Sequence, residues 1–142
     1  MKQWVVDCSA FMPLVFSDEN ADTIESMLLK ASREELKIIV PGLFWYEVSN
    51  VLRMAVIRKR LSEADAEGAL YRFTGLPIES NSEISPAVIL RISRFAFQHK
   101  LTAYDAAYFE LADRRSANLL TADKGLLKLR STCAWIKENA ER

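Results

Sequence analysis

Four acidic residues occupy positions where a charged side chain is unusual. Asp7 follows the apolar run WVV, and Asp123 follows NLLT at the end of a second predicted strand. Glu47 interrupts the apolar stretch LFWYEVSNVL, and Asp105 lies early in LTAYDAAYFELA. Placing a carboxylate in an apolar environment is costly unless a partner compensates its charge. The four residues therefore need either separate structural explanations or one common explanation.

Three of these acids have a local structural explanation. Asp7 and Asp123 can cap the helices that follow them, and Asp105 can be the acidic member of a capping box that begins at Thr102. Glu47 resists such an explanation because apolar residues surround it at helical spacings. A cation site would explain all four together, since crowded carboxylates raise one another's pKa unless a cation neutralises them. Hard oxygen ligands suit Mg²⁺ or Mn²⁺, whereas zinc prefers His and Cys.

Strand-like segments alternate with helix-length amphipathic segments along the chain. The predicted strands are QWVVD, KIIV, LPIES and ANLLT, and the apolar piece CAWIK follows near the end. Helix signals run from Ser9 to about Leu36 and from Gly42 to about Arg60, and later helices begin after Ser62, after Ser85 and in the segments TAYDAAYFELADRR and DKGLLKL. This alternation predicts a three-layer α/β/α fold, in which a mostly parallel sheet of about four or five strands lies between two layers of helices.

The predicted sheet gives the acidic residues a common location. In open α/β sheets the carboxyl ends of the strands share one edge, and ligands bind outside that edge. Strand-end Asp7 and Asp123 would face this edge, and Glu47 and Asp105 would reach it from the early turns of helices that start there. We expect the whole chain, residues 1–142, to form one domain.

Composition excludes several classes of protein. Lys plus Arg and Asp plus Glu both number 19, so overall charge does not indicate a nucleic-acid partner. Cys8 and Cys133 fit neither a disulfide framework nor a zinc ribbon, which favours the cytoplasm. The first apolar run is broken at Asp7 and no apolar stretch approaches the roughly 20 residues of a membrane span, so we expect neither export nor membrane insertion. His99 is the only histidine, which excludes a nuclease with paired imidazoles, and no Gly-rich phosphate loop is present.

The order of four motifs resembles that of the PIN-domain ribonucleases. These motifs are VVDCSAF, PGLFWYEVSNVL, LTAYDAAYFELA and LLTADKGL. The compact size of the chain resembles, within that family, the VapC-type toxins of bacterial toxin–antitoxin pairs. The resemblance covers nearly the whole chain, from Trp4 to about Leu127.

This resemblance implies an acidic metal site with supporting polar residues. The acidic residues are Asp7, Glu47, Asp105 and Asp123. The supporting residues are Ser9, Asn50 and Thr121. The resemblance also implies that bound Mg²⁺ or Mn²⁺ activates a water for in-line attack on an RNA phosphodiester, which leaves a 5′-phosphate and a 3′-hydroxyl. The three aspartates are then direct or water-mediated metal ligands, and Glu47 either binds a second ion or positions the water.

Similar proteins commonly dimerise and bind an antitoxin across an apolar groove. The resemblance therefore implies a homodimer, a cognate antitoxin and an RNA substrate. Two alternatives from other classes remain open at this point. One is a non-catalytic RNA-binding or scaffold module with the same fold. The other is a receiver-like phosphoacceptor domain, although such a domain would have paired acids after the first strand, where Cys8 and Ser9 follow Asp7.

Overall fold

The computed structural model describes residues 1–139 as a parallel sheet with helices on both faces. The strands are β1 (Lys2–Val6), β2 (Leu36–Pro41), β3 (Ile78–Asn81), β4 (Asn118–Thr121) and β5 (Ile136–Glu138). The helices are α1 (Cys8–Phe11), α2 (Asp22–Ser32), α3 (Leu43–Ile57), α4 (Glu63–Thr74), α5 (Pro86–His99), α6 (Ala103–Arg115) and α7 (Lys124–Leu127). The prediction of one domain over residues 1–142 extends to residues 140–142, which lie outside the described residues.

The five strands are ordered β3-β2-β1-β4-β5, and every neighbouring pair is parallel. This confirms the predicted α/β class and places β1 at the centre of the sheet. In the register of the central pair, Val6 of β1 lies opposite Leu120 of β4. The chain therefore leaves β1 and β4 side by side at the same edge, as the positions of Asp7 and Asp123 require.

The direction of the connections produces the three layers. The helices from α1 to α4 connect strands that advance from β1 to β3, and the helices from α5 to α7 connect strands that run back across the sheet to β5. Because parallel crossovers are right-handed, these two groups cover opposite faces. Within residues 1–139, no helix has both the length and the apolar character needed to cross a membrane.

Hydroxyl side chains begin three of the helices, as the sequence predicts. Ser62, Ser85 and Thr102 accept hydrogen bonds from the backbone N–H three residues later, at 3.0, 3.2 and 3.1 Å. These caps satisfy donors that have no partner within the helix.

The helix signal predicted from Ser9 to about Leu36 is interrupted in the structure. It contains α1, a short 3₁₀ helix (Met12–Leu14) and α2, which begins only at Asp22. Pro13 lies in the 3₁₀ turn, where its missing N–H prevents an α-helical hydrogen bond. The polar residues between the 3₁₀ helix and α2 form a turn, in which Asn20 Oδ1 accepts a hydrogen bond from Asp22 N at 3.0 Å.

Aromatic packing joins the helices of one layer. Phe11 is fully buried, and its ring centroid lies 5.0 Å from that of Phe44 in α3 and 6.1 Å from that of Phe73 in α4. Phe16 is also buried. The apolar segment from Phe11 to Phe16 therefore contributes to the core. Tyr71 of α4 lies outside this core and is 79% exposed.

Removing a ring from this cluster should destabilise the whole domain. We expect Phe11→Ala to reduce the free energy of unfolding by about 3–5 kcal/mol, because it creates a cavity between three helices. Phe97→Ala is the matched control, since Phe97 is 85% exposed on α5 and should cost less than about 0.5 kcal/mol. Urea unfolding followed by circular dichroism measures both. Equal losses in the two variants would contradict the assigned core.

Candidate acidic active site

Asp7 is a buried carboxylate that leaves the central strand. It is only 4% exposed, and its backbone N–H donates to the Leu120 carbonyl of β4 at 2.9 Å. Within residues 1–139, the Asp7 side chain forms no capping hydrogen bond with α1, so the local capping explanation is wrong for this residue. The Asp7 carboxylate instead accepts hydrogen bonds from the hydroxyls of Ser9 and Thr121, both at 2.8 Å from Oδ2.

The same two hydroxyls connect the ends of β1 and β4. Ser9 Oγ accepts a hydrogen bond from Ala122 N at 3.0 Å, and Thr121 Oγ1 accepts one from Asp123 N at 2.9 Å. Each hydroxyl therefore donates its proton to Asp7 and accepts a hydrogen bond from a backbone N–H of the loop after β4. Because both donate to Oδ2, they hold that oxygen and fix the direction in which Oδ1 points.

Glu47 reaches the site from α3 and is held by a tyrosine of α6. The Tyr108 hydroxyl donates to Glu47 Oε1 at 2.6 Å, and Tyr108 is fully buried. This bond joins two helices through residues that are 61 positions apart in the chain. It explains how a carboxylate is kept in the apolar stripe of α3, because a charge-assisted hydrogen bond compensates part of its lost hydration.

Asp105 and Asp123 approach each other beside Gly125. A Cβ atom at Gly125 would lie 3.0 Å from Asp123 Oδ2 and 3.7 Å from Asp105 Oδ2, so a larger residue would intrude between these oxygens. Asp123 Oδ2 also accepts a hydrogen bond from Leu126 N at 3.0 Å and caps α7. Capping by Asp123 and a place in the acidic cluster therefore coexist.

The acidic side chains influence one another's protonation. Burial raises the pKa of Asp7, the hydroxyls of Ser9 and Thr121 lower it, and the charge of Asp123 raises it further. Burial raises the pKa of Glu47 to about 6; the Tyr108 hydroxyl opposes this shift, and the charges of Asp7, Asp105 and Asp123 add to it.

Asp105 shows the same pattern. Burial raises its pKa to about 6, with contributions in the same direction from the charges of Asp123 and Asp7, while the Thr102 hydroxyl and Lys128 lower it. Carboxylates that raise one another's pKa lie close enough to repel. The structure therefore brings the four predicted acids together.

Asn50 takes a different place from the other predicted polar residues. It is exposed on α3, one turn beyond Glu47, and its supporting role stays a prediction. Ser9 and Thr121, in contrast, contact Asp7 directly.

The donor set of this cluster fits a divalent cation that keeps part of its water shell. Among residues 1–139, no group of three or more His, Cys, Asp or Glu side chains lies close enough together to hold a metal ion directly. Mg²⁺ usually binds through one or two carboxylates and retains several waters, so a complete protein cage is not required. Among the described residues, the ion pairs involve other acids, such as Glu110 and Glu138, and none includes the four clustered carboxylates.

Comparison with known proteins identifies the family of this chain. The sequence pattern of the PIN domain matches residues 4–131. The chain belongs to the PIN-domain family. It is 33% identical over 126 residues to Ribonuclease VapC3 of Pyrobaculum aerophilum, which is 86% of this chain and 90% of that protein. It is 32% identical over 128 residues to Ribonuclease VapC1 of Mycobacterium tuberculosis, which is 89% of this chain and 90% of that protein.

A solved structure shows the same fold. The crystal structure of VapBC2 from Rickettsia felis, bound to a DNA fragment from their promoter, superposes with a TM-score of 0.65 at 10% sequence identity. The superposition covers 96% of this chain and 97% of the other.

Two residues of this PIN domain escaped the sequence-based prediction. Tyr108 orients Glu47, and Gly125 leaves space between Asp105 and Asp123. Their positions carry a weak signal, since Tyr108 lies one helical turn after Asp105 and Gly125 lies two residues after Asp123. Neither spacing identifies a partner without the fold.

The raised pKa values predict how metal-free stability depends on pH. Glu47 and Asp105 bind protons more tightly in the folded protein than in the unfolded chain. Their contribution to stability is therefore fully present below about pH 4 and is lost as pH rises through about 6. A Glu47→Gln, Asp105→Asn double variant lacks these two charges. We expect its stability advantage over the wild type, measured by urea unfolding in EDTA, to grow between pH 4 and pH 7.

A control variant tests the origin of this effect. Glu67→Gln alters an exposed glutamate of α4 and should show no advantage that grows with pH. Adding Mg²⁺ should raise the free energy of unfolding of the wild type towards that of the double variant at pH 7. A double variant whose advantage is the same at every pH would contradict the assigned repulsion.

Proposed function

We propose that this PIN-domain protein is a divalent-metal-dependent endoribonuclease and the toxin of a toxin–antitoxin pair. The observation that carries the proposal is the cluster of Asp7, Glu47, Asp105 and Asp123, in which burial and mutual repulsion raise the pKa of three members. The relatives named as VapC ribonucleases at 32–33% identity over most of the chain support the same activity. We propose further that residues 1–142 act as a single nuclease domain.

The cation would be Mg²⁺ or Mn²⁺, bound directly or through waters by Asp7, Asp105 and Asp123. When bound, it lowers the pKa of a water and stabilises the charge that develops on the phosphoryl group. The protein supplies orientation. Ser9 and Thr121 hold Asp7 Oδ2.

Glu47 acts beside the three aspartates. Tyr108 occupies Glu47 Oε1, and the second oxygen, Oε2, then accepts a hydrogen bond from the attacking water. Asn50 is a polar contact on the substrate side of α3.

Cleavage of RNA is the direct test. Purified protein should cut a radiolabelled RNA in Mg²⁺ or Mn²⁺, stop in EDTA, and leave 5′-phosphate and 3′-hydroxyl ends. Asp105→Asn should lower the rate by on the order of a hundredfold or more, because metal stabilisation of the transition state contributes several kcal/mol.

The matched control lies on the same helix. Asp113→Asn also replaces an aspartate of α6, but Asp113 pairs with Arg91 at the surface, 2.8 Å away, and its loss should leave the rate nearly unchanged. Full activity in a folded Asp105→Asn variant would contradict the site. Tight RNA binding without metal-dependent cleavage would favour the non-catalytic module instead.

The partners proposed for this chain are an RNA substrate, a second copy of the chain and a cognate antitoxin, and the proposed site of action is the cytoplasm. Light scattering should give the purified protein the mass of two chains. Co-expression with the product of a small adjoining reading frame should give a larger complex that has lost the nuclease activity. A monomer would contradict the dimer, and a fully active complex would contradict inhibition by that partner.

A further inference from the structure

Lys128 is a basic residue on the same face of α7 as Gly125. The two residues are three positions apart, a spacing that makes side chains neighbours on a helix. The helical backbone continues to Lys128, whose N–H donates to the Lys124 carbonyl at 3.1 Å. A Cβ atom at Gly125 would meet Asp123 Oδ2 and Asp105 Oδ2, so this face of α7 is turned towards the acidic cluster.

The charge of Lys128 reaches the acidic cluster and is not neutralised by another side chain. Burial has the largest influence on the pKa of Asp105 and raises it, whereas the positive charge of Lys128 lowers it. Lys128 is exposed, and the ion pairs formed within residues 1–139 do not include it. Its ammonium group is therefore available to a ligand at the rim of the acidic site.

An RNA substrate needs a positive charge at this rim. One divalent cation balances only two of the four negative charges that the clustered carboxylates carry when all are ionised. The remaining charge repels a phosphate, and equal numbers of basic and acidic residues give the chain no overall attraction for a polyanion. A lysine ammonium has three rotatable donors and binds phosphate as a point charge. Lys128 has the type and the position that this requirement demands.

We propose that Lys128 binds a phosphate oxygen of the RNA substrate beside the acidic cluster. This inference rests on the proposed ribonuclease function and deepens it by naming a substrate-binding residue. A contact to the phosphate backbone positions the RNA without reading its sequence. Lys128 thus offsets the repulsion between the acids and the RNA, and other residues select the sequence.

A lysine that only neutralised the acids would behave differently. Its ammonium would repel the divalent cation that the acids bind, because like charges repel. Its removal would then tighten Mg²⁺ binding and leave RNA binding unchanged. Weaker RNA binding by a Lys128 variant therefore cannot result from a lost metal ion.

The salt dependence of RNA binding tests this contact. A fluorescein-labelled single-stranded RNA is titrated in Mg²⁺ with the Glu47→Gln variant, which keeps the three aspartates and should leave the RNA intact. Its anisotropy gives Kd at several KCl concentrations. Adding Lys128→Gln should raise Kd about fivefold at roughly 0.1 M salt and lower the slope of log Kd against log salt by about 0.7, the value for one phosphate contact on a single strand. Lys128→Arg keeps the charge and should keep the slope.

Two controls separate this contact from a general effect of charge. Lys30→Gln removes the same charge from an exposed lysine in the last turn of α2. Because α2 leads into the start of β2, Lys30 lies towards the opposite edge of the sheet, and its loss should leave the slope unchanged. Mg²⁺ binding, measured by calorimetry, should be unchanged or tighter in Lys128→Gln. Both lysines are exposed, so circular dichroism should show that all variants fold.

Several results would overturn the role of Lys128. These are an unchanged slope in Lys128→Gln, an equal reduction in Lys30→Gln, an equal loss in Lys128→Arg, weaker Mg²⁺ binding in Lys128→Gln, and a Glu47→Gln protein that binds no RNA. Cleavage by the otherwise wild-type chain is measured separately. Normal cleavage together with an unchanged slope would reject only the role of Lys128. A slope that depends on Lys128, without any metal-dependent cleavage, would reject only the nuclease function.

Discussion

Uncompensated negative charge at one edge of the sheet is the constraint on which this site depends. Asp7 is almost completely buried, and the pKa values of Glu47 and Asp105 rise to about 6 because of burial and because neighbouring carboxylates add to the shift. Holding such groups together costs free energy in the absence of a cation. The surrounding fold must supply that free energy, and the proposed divalent ion would relieve the same repulsion.

The parallel sheet provides the rigid frame for this arrangement. Because β1 lies at the centre and β4 pairs with it, Asp7 and Asp123 leave neighbouring strands at the same edge. The helices α3 and α6 start near that edge, and they carry Glu47 and Asp105 in their first two turns. Four acids that are far apart in the chain thus share one location without a long loop.

Structural roles and proposed functional roles overlap in the side chains around the acids. Thr121 donates to Asp7 and accepts from Asp123 N, so it connects two strand ends and orients a carboxylate at once. Asp123 caps α7 while it belongs to the acidic cluster. Tyr108 fills the core with its ring and steadies Glu47 with its hydroxyl. Such double use explains why a cap and a site residue are not alternatives.

Local patterns determined the alternation of strands and helices, the caps at Ser62, Ser85 and Thr102, and the strand-end positions of Asp7 and Asp123. These features depend on residues that are close in the chain, so periodicity and residue type suffice to predict them. The break of the first helical segment was less predictable, although Pro13 marks it. Only the tertiary structure decided which distant side chains meet, including the contact of Tyr108 with Glu47 and the joint hold of Ser9 and Thr121 on Asp7. Those contacts depend on strand register and on how the helices pack over the sheet. Neither can be predicted from residues that are close in the sequence.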